Sequence, residues 1–155
     1  MGMPDIVIEV ASRPEAAEIL STPCLCGEVT WLVSIGDRQD ELPAGYDNVA
    51  RKLRLLVADV LTEEGASEAD VRRIIEFAES VRGLTGKVLI HCEAGVSRST
   101  AAALIIYACW LGPGGERLAM ERVLAQRPIA MPNRRMVGLA DKLLARRGQL
   151  LAVLA

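Results

Sequence analysis

Histidine is nearly absent from this sequence: His91 is the single one in 155 residues. With one imidazole, neither a Ser-His-Asp triad nor a Cys-His dyad can be drawn anywhere away from position 91. An excess of basic charge is missing too. The 18 lysines and arginines stand against 20 aspartates and glutamates, a net charge of -2, so no global field exists to attract nucleic acid or an anionic lipid surface. Any anion site must be local. No apolar run approaches the roughly 20 residues needed to span a bilayer, and Met1-Gly2-Met3-Pro4-Asp5 lacks the basic-then-apolar build of a signal peptide. A cytoplasmic location with no membrane partner is expected. The four cysteines, Cys24, Cys26, Cys92 and Cys109, are unequally spaced and read as reduced thiols rather than a disulfide framework. Cys24-x-Cys26 is spaced too closely for structural zinc and lacks companion ligands, so neither metal nor cofactor is expected.

What is present is enough apolar sequence, 51% of residues, to bury a core without disulfides or metal, which predicts one domain over 1–155. Alternation in Asp5-Ile6-Val7-Ile8-Glu9-Val10 predicts a strand, followed by a short helix over 14–20 with proline in its first turn. Val29 to Ile35 and Arg51 to Val60 predict two more strands, separated by a polar loop over 37–48. Ser67 followed by Asp70 has the form of a capping box, and Val71, Ile74, Ile75, Ala78 and Val81 recur at helical spacing until Gly83. Lys87-Val88-Leu89-Ile90 predicts a strand that runs through 91–100 into an almost wholly apolar helix over 101–111. Helices over 116–126 and from 133 to about 147 complete the chain. Strands alternating with helices predict an α/β domain, a central and mostly parallel sheet flanked by helices.

The chemistry concentrates between that last strand and the buried helix, where open α/β sheets usually place their ligands. Glu93, Ala94, Gly95, Val96, Ser97 and Arg98 bring six successive backbone N–H groups, and curled into a nest at a helix amino end these would bind a dianion such as phosphate. Gly95 supplies the tight curvature. Cys92 at the mouth of the loop would feel the N–H dipoles and Arg98, both of which favour thiolate, the nucleophilic form. Arg98 can present a planar fork to two phosphoryl oxygens, as a lysine cannot. Ser99 can donate its hydroxyl to the sulfur as it departs. Taken alone, a Cys-x5-Arg spacing is common by chance, and a lone buried cysteine is more often structural. Cys109, inside the apolar helix, reads as core. The stretch Gly83-Leu84-Thr85-Gly86-Lys87 is too short for a nucleotide-binding loop and precedes a strand.

The segment His91-Cys92-x5-Arg98-Ser99 resembles the signature of the protein tyrosine phosphatase superfamily, specifically its dual-specificity branch. The resemblance covers roughly residues 28 to 145. It implies a dual-specificity-phosphatase-like fold and a general acid some thirty residues before the cysteine, after a strand, which falls on Asp59, 33 residues before Cys92. Glu63 and Glu64 are rivals in the same loop. It also implies that Asn133, in the Gln126-Arg127-Pro128-Ile129-Ala130-Met131-Pro132-Asn133 segment, braces the active-site loop, and that His91 is structural, holding the loop near the cysteine. No counterpart of the aromatic recognition loop of tyrosine-specific members is present.

The implied reaction is metal-free hydrolysis of a phosphomonoester through a phosphocysteine. The alternatives are a phosphate-binding pseudoenzyme that recognises phosphorylated partners without turnover, or a sulfur-transfer or arsenate-reducing enzyme. Glu93 sets a carboxylate at the loop entrance. That favours a phosphorylated protein or small phosphomonoester over a polyanion.

Overall fold

In the computed structural model, which describes residues 6–155, four runs of aliphatic residues lie side by side in one sheet. They are β1 (Ile6–Ala11), β2 (Trp31–Gly36), β3 (Lys52–Leu56) and β4 (Gly86–His91). Their order is β1-β4-β2-β3, and every pair is parallel. Asp5, part of the predicted first strand, lies outside the described residues. Parallel pairing needs a crossover between successive strands; helices α1 (Arg13–Ser21) and α2 (Pro23–Cys26) lie in the first and α3 (Glu68–Ser80) in the last, while α4 (Arg98–Leu111) follows β4. Helices α5 (Glu116–Gln126), α6 (Arg134–Leu143) and α7 (Gln149–Ala152) follow.

Side chains alternate across the sheet. Ile8, Val10, Trp31, Val33, Ile35, Val88 and Ile90 face the larger core, built with α3 to α6. Leu32 and Leu89 face the other way, against Ala16 and Leu20 of α1. Helix α4 is apolar all round because it runs through the core, with every residue from Arg98 to Trp110 buried. All four strands end at one edge of the sheet, so the loops after Ala11, Gly36, Leu56 and His91 meet there.

Several boundaries differ from the sequence reading. The third strand stops at Leu56 rather than Val60, because β3 pairs only with β2, which ends at Gly36. One further bond, Val57 N–H to the Gly36 carbonyl at 2.9 Å, precedes departure from the sheet. Asp59 is therefore three residues beyond the strand. The last long helix stops at Leu143 rather than near Arg147. The Asp141 carboxylate accepts the N–H groups of Gly148, Leu150 and Leu151, and the backbone turns through positive φ at Ala145 and Arg147 to allow it. The Ser67–Asp70 capping box forms as predicted, and α5 matches its predicted span. Helices α2 and α7, each four residues, carry no amphipathic period long enough to detect.

No helix among the described residues is long and apolar enough to cross a membrane. The four cysteines are unpaired. Cys26 packs with Leu20 and Leu32, whereas Cys92 belongs to the larger core across the sheet.

Candidate active site

The loop from Cys92 to Arg98 leaves β4 and enters α4, and its carbonyls are held one after another by the surrounding chain. The His91 ring Nδ1 lies 3.0 Å from the Cys92 carbonyl. The Glu93 carbonyl accepts the Arg13 N–H at 3.0 Å. Arg127 donates to the Ala94 carbonyl from Nη2 and to the Gly95 carbonyl from Nε, at 3.3 and 2.9 Å. The Val96 and Ser97 carbonyls accept the N–H groups of Met131 and Asn133 at 2.8 and 3.0 Å. In a trans peptide the N–H points opposite to the carbonyl, so fixing the carbonyls turns the N–H groups towards the loop's interior. Of the N–H groups from Glu93 to Arg98, only that of Gly95 meets an acceptor among the described residues: the Cys92 sulfur, at 3.3 Å. The others form a concave donor array, which is the arrangement that binds a tetrahedral anion.

Gly95 is required twice over. Its φ is +70°, and a Cβ there would stand 2.8 Å from Ala11 C and Ser12 N and 2.6 Å from Arg127 Nη2. Gly95→Ala is expected to weaken phosphate binding about tenfold or more, from backbone strain on the scale of 1–3 kcal/mol. Thermal stabilisation by added phosphate, expected in the parent protein and expected to be largely lost in the variant, checks it.

Cys92 is buried. Burial pushes its thiol up, but the Ser99 hydroxyl at 3.1 Å, the N–H groups of Ser99 and Gly95 and the Arg98 charge together outweigh that and hold it below the ordinary range. Cys109 shows the opposite outcome. Buried in α4 near Glu79, it is pushed up to about 11. The same residue type thus gives a poised thiol and an inert one. Arg98 is 4% exposed, and its Nη1 donates to Asp37 Oδ1 at 3.0 Å and to the Val57 carbonyl at 2.8 Å. Its Nε is buried with no partner among the described residues. The guanidinium is anchored by one nitrogen while a buried donor is left over, and such a donor is costly unless a ligand accepts from it.

Asp59 sits at the rim, exposed, with its Oδ1 accepting from Ser97 Oγ at 2.8 Å and Asn133 Nδ2 at 3.0 Å. Glu63 and Glu64 are exposed and make no hydrogen bond to the described residues. The Asn133 side chain caps α6 by accepting from Met136 N–H and donates to Asp59, while its backbone N–H holds the Ser97 carbonyl, so one buried residue ties three segments together. His91 is fully buried, and burial lowers its pKa. Glu93 does not stand alone at the entrance: its Oε1 pairs with Arg13 Nε at 2.8 Å.

The comparisons with known proteins agree with this geometry. No family model matches the chain. It is 36% identical over 106 residues to dual specificity protein phosphatase 15 of Rattus norvegicus, covering 68% of this chain and 42% of that protein. The Homo sapiens protein of the same name is 38% identical, again over 68% of this chain, and 34% of its own length is covered. The crystal structure of DUSP15 superposes with a TM-score of 0.67 at 25% identity, covering 97% of this chain and 90% of that one. Human DUSP28 gives 0.68 at 23% identity, covering 92% and 94%. The chain belongs to the dual-specificity branch of the protein tyrosine phosphatase superfamily. It spans less than half the length of the curated relatives it matches.

Within this dual-specificity domain, the sequence-predicted residues Cys92, Arg98, Ser99, Asp59, Asn133 and His91 all converge at one edge of the sheet. Three others at the site were given no role from the sequence, although Arg127 lies in the segment that carries the resemblance. Asp37, at the carboxyl end of β2, holds Arg98, and its place at a strand end was an available signal. Arg127 braces the loop and pairs with Glu15 at 2.9 Å. Arg13 pairs with Glu93, and nothing in the local pattern marks it.

Proposed function

We propose that this domain is a cysteine-dependent phosphomonoester hydrolase that works through a phosphocysteine, on phosphoprotein carrying tyrosine or serine/threonine phosphate or on a small phosphorylated molecule. The observation that carries the reading is the loop whose carbonyls are all tied while its N–H groups are left for an anion, with a low-pKa thiol at its centre. Glu93 to Arg98 bind three phosphoryl oxygens, assisted by Arg98 through Nε and its remaining nitrogen. The Cys92 thiolate attacks phosphorus, the bond to the leaving oxygen breaks, and Asp59 protonates that oxygen. Water then attacks the phosphocysteine, Asp59 takes its proton, and the sulfur departs as thiolate towards the Ser99 hydroxyl. Asp59 is favoured over Glu63 and Glu64 because Ser97 and Asn133 hold it against the loop. Four unpaired cysteines support a reducing, cytoplasmic setting.

Rapid mixing with p-nitrophenyl phosphate tests the reading, with phosphate trapped on Cys92 as the expected result; slow turnover with no cysteine-bound phosphate overturns it. Asp59→Ala is expected to slow hydrolysis in proportion to how poor the leaving group is. An aryl phosphate loses least, and an alkyl phosphate such as phosphoserine loses about 10²-fold or more. The acid limb of the pH profile, set by Cys92, remains, and because the Cys92 pKa is depressed it lies below the usual thiol range. Equal losses on both substrates would move the acid role to Glu63 or Glu64.

A further inference from the structure

A row of three polar side chains crosses the sheet behind the candidate nucleophile. Ser34 of β2 stands opposite Arg54 of β3 on one side and opposite His91 of β4 on the other. Arg54 Nη1 lies 2.8 Å from Ser34 Oγ, Ser34 Oγ lies 2.7 Å from His91 Nε2, and His91 Nδ1 lies 3.0 Å from the Cys92 carbonyl. Ser34 and His91 are wholly buried, and their strand neighbours Val33, Ile35 and Ile90 are apolar. Polar groups in that position are costly unless each is satisfied.

The direction of every bond in the row is fixed by elementary chemistry. A carbonyl only accepts, so His91 carries its proton on Nδ1 and donates to Cys92. A neutral imidazole, which burial favours here, then accepts at Nε2. Ser34 must supply that hydrogen, and its oxygen is left to accept from Arg54, which only donates. The row therefore runs one way, from a permanent positive charge on β3 to the peptide that carries the candidate nucleophile. Its last bond both holds the first carbonyl of the loop and sets the positive end of the imidazole dipole beside Cys92.

We infer that Arg54 and Ser34 are positioning residues that act through His91 to fix its tautomer and to favour the Cys92 thiolate. The inference rests on the reading of Cys92 as nucleophile. A purely structural account is available for Arg54, because its Nη2 also donates to the carbonyls of Arg38 and Glu41 and so anchors the loop after β2. Ser34 separates the two accounts. Ser34→Ala breaks the row while leaving Arg54 its loop carbonyls.

Other groups also act on this centre. Arg98, Ser99 and the Gly95 N–H bear on the sulfur directly, and the charges of Arg13 of α1 and Glu93 of the loop reach His91 with opposite signs. All of them stay in place in the variants proposed, as a common background.

The experiment is the pH dependence of Cys92 alkylation by iodoacetamide, followed by mass spectrometry of the peptide that contains Cys92. In Ser34→Ala the midpoint is expected to rise by about one pH unit, a loss of roughly tenfold in thiolate below the midpoint. Ser34→Thr, which keeps the hydroxyl, is expected to restore it. Arg54→Leu is expected to shift it in the same direction, and it carries the test should Ser34→Ala fail to fold. An unchanged midpoint in folded Ser34→Ala, or in Arg54→Leu when that variant stands in, overturns the inference, as does a folded Ser34→Thr that does not restore it. The titration needs no turnover, so it is read separately from the phosphocysteine trapping that tests the proposed activity.

Discussion

Cys92→Ser is expected to lower phosphomonoester hydrolysis by on the order of 10⁴-fold or more, the scale on which removal of a nucleophile acts, with no loss of fold. The side chains are nearly the same size, and a buried hydroxyl has far too high a pKa to ionise where the thiol does. The array of loop N–H groups remains, so the variant should still bind phosphate. Arg98→Lys is expected to fail nearly as badly. Arg98 uses Nη1 to hold Asp37 and the Val57 carbonyl, and only a planar fork can do that and still offer further donors to the anion. A lysine would have to choose between Asp37 and the phosphate. Initial rates with p-nitrophenyl phosphate, alongside circular dichroism for folding, decide both cases. Substantial turnover by folded Cys92→Ser would rule out the thiolate mechanism.

The second large effect concerns stability and lies far from the thiol. Glu116 at the start of α5 and Arg146 beyond α6 form a buried ion pair at 2.6 Å, with side chains 7% and 5% exposed. Arg146 also donates to the carbonyls of Gly112 and Ala108 at the end of α4, so it caps the helix whose other end carries Arg98. Removing one partner strands the other charge. Arg146→Met is expected to cost about 3–5 kcal/mol, or roughly 10 °C in Tm for a domain of this size. The double variant Glu116→Leu, Arg146→Met should cost less than Arg146→Met alone. Burial pushes the Glu116 carboxyl up, but the bonds from Arg146 and the backbone outweigh it and hold the pKa below the ordinary value. A folded-state pKa that is depressed gives stability present above the ordinary glutamate range and lost as pH falls through the folded value. Urea midpoints followed from neutral pH down through the ordinary glutamate range and below it read that loss. A folded Arg146→Met within about 1 kcal/mol of the parent protein would refute the argument.

Sequence alone marked the parts of this domain whose physics is local. The capping box at Ser67, the apolar α4 and the Cys92–Arg98 loop are each written into a few consecutive residues. The site residues that sequence missed act across distance. Arg127 recognises carbonyls at Ala94 and Gly95, and Asp37 recognises a guanidinium at position 98; no periodicity or spacing marks either contact, and only the place of Asp37 at a strand end pointed to it. The overrun of the third strand has the same origin. Leu55, Leu56, Val57 and Val60 keep the run apolar, but a strand lasts only as long as its partner, and Gly36 is where β2 ends.

The way the loop is held also bears on how the protein acquires its reactivity. Its carbonyls are gripped by Arg13 near one end of the chain and by Arg127, Met131 and Asn133 near the other, and β4 beneath it pairs with β1. A nascent chain that ends after α4 contains Arg13 and β1 but none of the anchors at Arg127, Met131 and Asn133. Cys92 would then titrate as an ordinary thiol. During synthesis the sulfur should stay unreactive until the segment around Asn133 has emerged and docked. Alkylation of Cys92 at mildly acidic pH would thus serve as a clock for the final step of folding, and truncations that stop short of Asn133 should leave it silent.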